Sequence, residues 1–247
     1  KAIYESLKNG VFILTGGPGT GKTTVIKALL RIFSDIGLNT ALCAPTGRAS
    51  KRMCEATGSN AKTIHGLLEV MPGGEYSTEP KFNRNNANLL DEDVIIVDEA
   101  SMVDVTLMNA LLVAIKPGAR LILIGDIDQL PSVGEGNVLN DIIASEEFST
   151  VCLNEIFRQA GNSGIVTNAH KINKGIYPDL GEKYDDFFFI PLSDEKIPDD
   201  VAKEMKKRGI LIRHFSGGRL EKYNRITIGT RAEMDAFLFA AEKILEK

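Results

Sequence analysis

The run Gly16-Gly17-Pro18-Gly19-Thr20-Gly21-Lys22-Thr23 constrains this chain more than any other feature. It fits G-x-x-x-x-G-K-[ST], and its flanks agree: Val11 to Thr15 reads as a buried strand and Lys22 to Ile36 as a helix. Gly17, Gly19 and Gly21, with Pro18 and Thr20 between them, let backbone N–H groups surround a phosphate, and the helix N-terminus adds partial positive charge. Lys22 is placed to reach the β and γ phosphates of a nucleotide, and the Thr23 hydroxyl to hold Mg²⁺.

The chain on either side supplies a sheet to carry such a loop. Val11–Thr15, Thr40–Ala44, Val94–Asp98, Leu121–Gly125 and Thr150–Leu153 are short, nearly continuous apolar runs. Helical patterns lie between them at 24–36, 47–56, 63–70, 105–115 and 137–145. Apolar strands alternating with helices predict an α/β fold, a parallel sheet with helices on both faces. Ligands of such sheets sit at the carboxyl ends of the strands. Residues 71–93, with Pro72-Gly73-Gly74 and Asn83-Arg84-Asn85-Asn86, read as a surface hairpin or long loop.

The strand ends carry the chemistry. Val94 to Val97 runs into Asp98 and Glu99, placed for Mg²⁺ and for orienting and deprotonating an attacking water respectively. The fourth run ends in Gly125-Asp126-Ile127-Asp128-Gln129, where the Gln129 amide can accept and donate near a γ-phosphate. After the second run, Thr46 and Arg48 can meet a phosphodiester backbone, although Thr46 serves equally well as a helix N-cap. Thr63 and His65 offer a hydroxyl and an imidazole in the same way, and a lone histidine there is more often structural. Arg158 follows the last strand, where a surface salt bridge and a γ-phosphate contact are both open to it.

Charge divides the chain. Its net charge of −4 over 247 residues argues against a protein that coats nucleic acid by bulk electrostatics, while leaving room for a local basic groove. Residues 198–247 hold 11 Lys+Arg against 8 Asp+Glu, and the remainder holds 18 against 25. Three scattered cysteines suit a reducing compartment, and no run is long and apolar enough to span a bilayer or act as a secretory signal. A cytoplasmic protein without membrane partners is expected.

Together the motifs resemble those of superfamily 1 DNA helicases of the RecD type, the exodeoxyribonuclease V alpha-chain-like group. The resemblance rests on Gly16 to Thr24, Ala44 to Lys51, Thr63 to Leu67, Asp98 to Asp104, Gly125 to Gly136, Ile156 to Gln159 and Ile165 to Asn173, in the family's order. It implies a RecA-like P-loop NTPase domain over residues 1–190, ATP and Mg²⁺ as cofactors, and 5′ to 3′ movement on single-stranded DNA. By the same resemblance Lys22, Thr23 and Thr24 hold phosphate and metal, Asp98 and Glu99 serve metal and water, and Gln129 and Arg158 face the γ-phosphate. Thr46, Arg48, Thr63 and His65 lie towards DNA. The family's adenine-reading glutamine falls before Lys1, and its second RecA-like domain is not in these residues. A truncated core that binds and hydrolyses ATP without unwinding DNA alone is therefore expected.

Residues 191–247 resemble the C-terminal end of histidinol-phosphate aminotransferases, through 206–215 and 219–230. A small β-α-β-β-α piece is expected there, with strands at 187–191, 209–215 and 223–228 and helices at 201–208 and 231–246. The resemblance matches Arg225 to a substrate-carboxylate contact. The Schiff-base lysine segment and cofactor phosphate site of such enzymes are missing, so transamination is not expected.

Overall fold

The computed structural model describes residues 1–71, 81–153, 163–181, 184, 186–187, 198–215, 224–227 and 229–245. The chain divides into two compact units, Lys1–Phe187 and Phe188–Lys247.

The first unit opens with α1 (Ala2–Lys8), β1 (Val11–Gly16), α2 (Lys22–Asp35), β2 (Thr40–Ala44) and α3 (Gly47–Thr57). Then come β3 (Lys62–Thr63), α4 (Ile64–Leu67), β4 (Val70–Met71), β5 (Lys81–Phe82) and β6 (Val94–Val97). A 3₁₀ turn (Ala100–Met102) leads to α5 (Val105–Ala114), β7 (Arg120–Gly125), α6 (Val138–Ala144), β8 (Ser149–Leu153) and α7 (Gly164–Asn173). Six strands form one sheet in the order β3-β2-β6-β7-β1-β8, with every pairing parallel.

Alternation along β1 shows why the sheet is covered on both sides. Phe12 and Leu14 pack with Ala2 of α1, Ile26, Leu29 and Phe33 of α2, and Met53 of α3. Ile13, between them, joins the other face with Leu107, Met108 and Leu111 of α5 and Leu139 of α6. Each such side chain contributes about 1.5–3 kcal/mol when fully buried, so the continuous apolar runs are what two covered faces require. Among the side-chain oxygens that cap helix starts in this unit, Asp104 Oδ1 accepts from Leu107 N at 2.8 Å, and Ser163 Oγ from Val166 N at 3.2 Å.

Three expected elements need correction, among them the strand expected over 223–228, which is reduced to Asn224–Arg225 among the described residues. The helix expected over 63–70 is reduced to α4, because Glu69 turns left-handed at φ 54° and Val70–Met71 then pairs antiparallel with Lys81–Phe82. The strand expected over 209–215 is reduced to Arg213–His214. Gly209, at φ 78°, closes the preceding helix: its N–H donates to Lys206 O and that of Ile210 to Met205 O, a left-handed C-terminal cap.

The second unit comprises α8 (Pro198–Lys207), β9 (Arg213–His214), β10 (Asn224–Arg225) and α9 (Arg231–Leu245). Its small core joins Val201 and Met205 of α8 to Phe237, Ala240, Ala241 and Ile244 of α9. Thr230 and Glu233 form a reciprocal cap at the start of α9: the Thr230 N–H donates to Glu233 Oε2 at 2.7 Å, and the Glu233 N–H to Thr230 Oγ1 at 3.4 Å. Residues 188–191 of the expected first strand lie outside the described residues.

Candidate nucleotide site

β1 delivers the glycine-rich loop at its carboxyl end, and α2 starts at Lys22. Gly19 and Gly21 turn the backbone at φ 74° and 93°, values that side chains resist. The loop is braced from within. Thr20 Oγ1 donates to Gly17 O at 2.8 Å, while Lys22 Nζ donates to Gly16 O at 2.5 Å and Gly17 O at 3.0 Å. Gly16 tolerates no side chain, since a Cβ would lie 2.7 Å from Leu153 O and 2.8 Å from Thr20 Oγ1. Thr23 and Thr24 are exposed on the first turn of α2.

β6 brings the acidic pair alongside. The Asp98 N–H donates to Cys43 O at 2.9 Å, holding the strand end against β2. Glu99 then bends the chain away at φ 53°, in the left-handed region. Burial pushes the Asp98 carboxyl up to about 6; the Glu99 backbone N–H restrains that rise, the Glu99 charge adds to it, and Lys22 and Arg52 oppose it. A cavity of about 160 Å³ is lined by Lys22, Thr23, Arg52, Asp98 and Glu99, with Met53 among its apolar walls.

The polar atoms here fit a ligand rich in oxygen and a hard cation. Thr15 Oγ1, Glu99 Oε2 and Ser101 Oγ are buried without a hydrogen-bond partner, a costly condition that phosphate, water or metal would relieve. Among the described residues, no group of three or more His, Cys, Asp or Glu side chains is arranged to hold a metal ion. A cation at Thr23 and Asp98 would thus be completed by phosphate and water oxygens, the usual habit of Mg²⁺.

The Gly125–Gln129 turn begins against the 3₁₀ turn that follows the acidic pair. A Cβ at Gly125 would lie 2.6 Å from Leu139 Cδ2 and 3.1 Å from Ser101 N, so only glycine permits this approach. Asp126, 2% exposed, organises the turn: its Oδ1 accepts from Asp128 N, and its carbonyl from Gln129 N at 3.2 Å. The Gln129 side chain is exposed beyond it.

Thr46 and Thr63 cap α3 and α4, accepting from Ala49 N at 3.2 Å and Gly66 N at 2.9 Å. Both lie at carboxyl ends of sheet strands, with Arg48 exposed on α3. His65 rests against Phe82, ring centroids 5.8 Å apart. Arg158 lies outside the described residues. In the second unit, the exposed Arg225 pairs across the hairpin with Arg213, and both guanidinium groups approach the Phe215 ring, at 5.9 and 5.3 Å.

Three residues at the first unit's site escaped the sequence reading. Arg52 shares the face of α3 with Arg48, a signal present in the helical spacing. Asp126 was visible only as part of a polar turn. His170 was visible only within the Ile165–Asn173 run, with nothing to place it at the loop: its ring lies against Gly17, where a Cβ would come 2.7 Å from Cε1.

A family model described as an AAA domain matches residues 1–135, and the chain belongs to that family, whose members use nucleotides. The ATP-dependent RecD2 DNA helicase of Deinococcus radiodurans is 42% identical over 171 residues, covering 69% of this chain and 23% of that protein. The RecBCD enzyme subunit RecD of Mycolicibacterium smegmatis is 42% identical over 165 residues, covering 58% and 29% respectively. The chain therefore carries a region homologous to the ATP-binding core of RecD-type helicases while spanning less than a third of the length of these relatives. The Pif1 helicase structure from Candida albicans shares the fold, with a TM-score of 0.56 and 23% identity over 86% of this chain and 55% of that one. Among the described residues no helix is long and apolar enough to cross a membrane.

Proposed function

We propose that residues 1–190 form the ATP-binding and ATP-hydrolysing core of a RecD-type 5′ to 3′ DNA helicase, and that residues 191–247 are a separate appended piece. The observation that carries this is the convergence of Lys22, Thr23, Asp98 and Glu99 on one cavity at the start of α2, directly after a glycine-rich loop. Lys22, now on the loop carbonyls, turns to the β and γ phosphates of ATP. Thr23 and Asp98 hold Mg²⁺, which when bound neutralises charge on the phosphate oxygens. Glu99 orients the attacking water and accepts its proton through the unpartnered Oε2. Gln129 reports the γ-phosphate towards DNA, and Arg158 adds a γ-phosphate contact.

Single-stranded DNA is the proposed partner, passing the ends of β2 and β3 near Thr46, Arg48, Thr63 and His65. Movement along DNA needs a cleft that opens and closes between two such domains, so residues 1–190 by themselves bind and hydrolyse ATP without unwinding. A DNA motor of this kind works in the cytoplasm. Arg225 is retained as a carboxylate contact only by sequence resemblance, and its exposed place beside Arg213 supports no catalytic role.

Calorimetric titration of Mg·ATP into wild type and Lys22→Ala tests the core of this reading. Losing a charge-assisted contact of roughly 2 kcal/mol weakens binding about thirtyfold. Equal affinities refute it. ATP binding without turnover stimulated by single-stranded DNA would make the chain a binding module instead.

A further inference from the structure

α7 is fastened to the segment that follows it. Asn168, 1% exposed, donates from Nδ2 to Asp179 O at 3.3 Å and accepts from Asp179 N at 2.7 Å. Lys171 pairs with the Asp179 carboxylate, and Tyr184 OH donates to the same carboxylate at 3.4 Å. At the helix start, Ser163 Oγ and the Gly164 N–H both donate to the Asp186 carboxylate. These ties fix the helix that carries His170.

Its imidazole sits on the phosphate loop. A Cβ at Gly17 would lie 2.7 Å from Cε1, 3.4 Å from Nε2 and 3.6 Å from Nδ1 of His170, so the ring occupies the space a side chain would fill. Nε2 is buried and has no hydrogen-bond partner. A ring serving only as a wedge gains nothing from an unpaired buried nitrogen, and an apolar side chain would fill the place without that cost. The same end of the loop belongs to the terminal phosphates: Lys22 Nζ, their ligand by motif, lies 3.0 Å from Gly17 O.

We propose that His170 is a phosphate-sensing residue whose Nε2 hydrogen-bonds the terminal phosphate of a bound nucleoside triphosphate, discriminating triphosphate from diphosphate. The inference rests on the nucleotide-binding reading above. α7, held by Asp179 and Asp186, keeps the ring over Gly17, so little side-chain freedom is lost when the loop opens Nε2 to the arriving phosphate.

Affinities for ATPγS and ADP, each with Mg²⁺, test it in wild type, His170→Ala, His170→Gln and His170→Phe. His170→Ala should lose about tenfold in ATPγS affinity, the equivalent of one hydrogen bond to a charged group, while ADP affinity stays within about twofold. His170→Gln, which keeps a donor, should recover most of the loss. His170→Phe, which fills the same space over Gly17 without a donor, should show the same selective loss as His170→Ala. Equal losses for both nucleotides, no loss for either, or a His170→Gln variant as weak as His170→Ala would overturn the assignment. If His170→Ala does not fold, the other two variants carry the same comparison. Failure of the underlying reading is separately visible, since Lys22→Ala would then bind ATPγS as wild type does.

Discussion

Replacing Asp98 with asparagine should make the nucleotide-free protein more stable at neutral pH, by an amount that depends on pH. In the folded protein burial raises this carboxyl from 3.8 to about 6. Below about pH 4 it is protonated in both folded and unfolded chains, and above about pH 6 it is ionised in both. Between those limits the folded state holds a proton that the unfolded state releases, so Asp98's contribution is fully present at acid pH and is lost as pH rises. A displacement of about 2 pH units corresponds to about 3 kcal/mol at most. Asparagine keeps the shape and removes the titration. Urea unfolding of both proteins, in EDTA and without nucleotide, would be followed from pH 4 to pH 7.5. The stability gap between Asp98→Asn and wild type should widen in favour of the variant by up to about 3 kcal/mol across that range. Other carboxylates titrate there too, so the difference between the two proteins is the readout. Parallel pH profiles would refute the argument that burial strains this charge. The variant should also lose Mg²⁺-dependent hydrolysis, stability being gained where function is given up.

Thr46→Ala should cost about 1 kcal/mol in thermal unfolding, because it removes the α3 cap, whereas Thr46→Asn keeps a capping oxygen and should be nearly neutral. A drop in single-stranded DNA affinity for Thr46→Asn would then mark a contact beyond capping; unchanged affinity would leave Thr46 as a cap alone. Gly125→Ala should destabilise by about 1–3 kcal/mol, because the new methyl meets Leu139 and the Ser101 backbone. Its effect should shrink in a Leu139→Ala background, and an undiminished cost would place the conflict at the backbone.

The parts of this fold that could be read in the sequence are those where neighbouring residues decide the outcome. Val94–Val97 must be buried on both faces, whatever packs there, and its run of β-branched residues says so. The same holds for the glycine-rich loop, whose backbone demands are local. Asp98 and Glu99 were visible as a carboxylate pair after an apolar run. By contrast β3 is only Lys62–Thr63, and it becomes a strand because β2 offers a free edge to Lys62 and Thr63. α4 ends early through the left-handed turn at Glu69, a conformation that residue type did not announce. α1 contributes Ala2 to the core below Phe12 and Leu14, an arrangement set by packing. His170 reaches Gly17 only once α7 is folded back on the sheet, and no spacing rule connects the two.

The position of β1 has a mechanical consequence. It is hydrogen-bonded along its length to β7 on one side and β8 on the other, with Thr15 opposite both Gly125 and Cys152. A pull along β1 must shear two parallel ladders at once. The loop that grips the phosphates is thus mounted on a strand fastened along both of its edges. Load borne at Lys22 passes into the sheet through many bonds together, and the segment β3 at the far edge, held to β2 by two residues, should peel first.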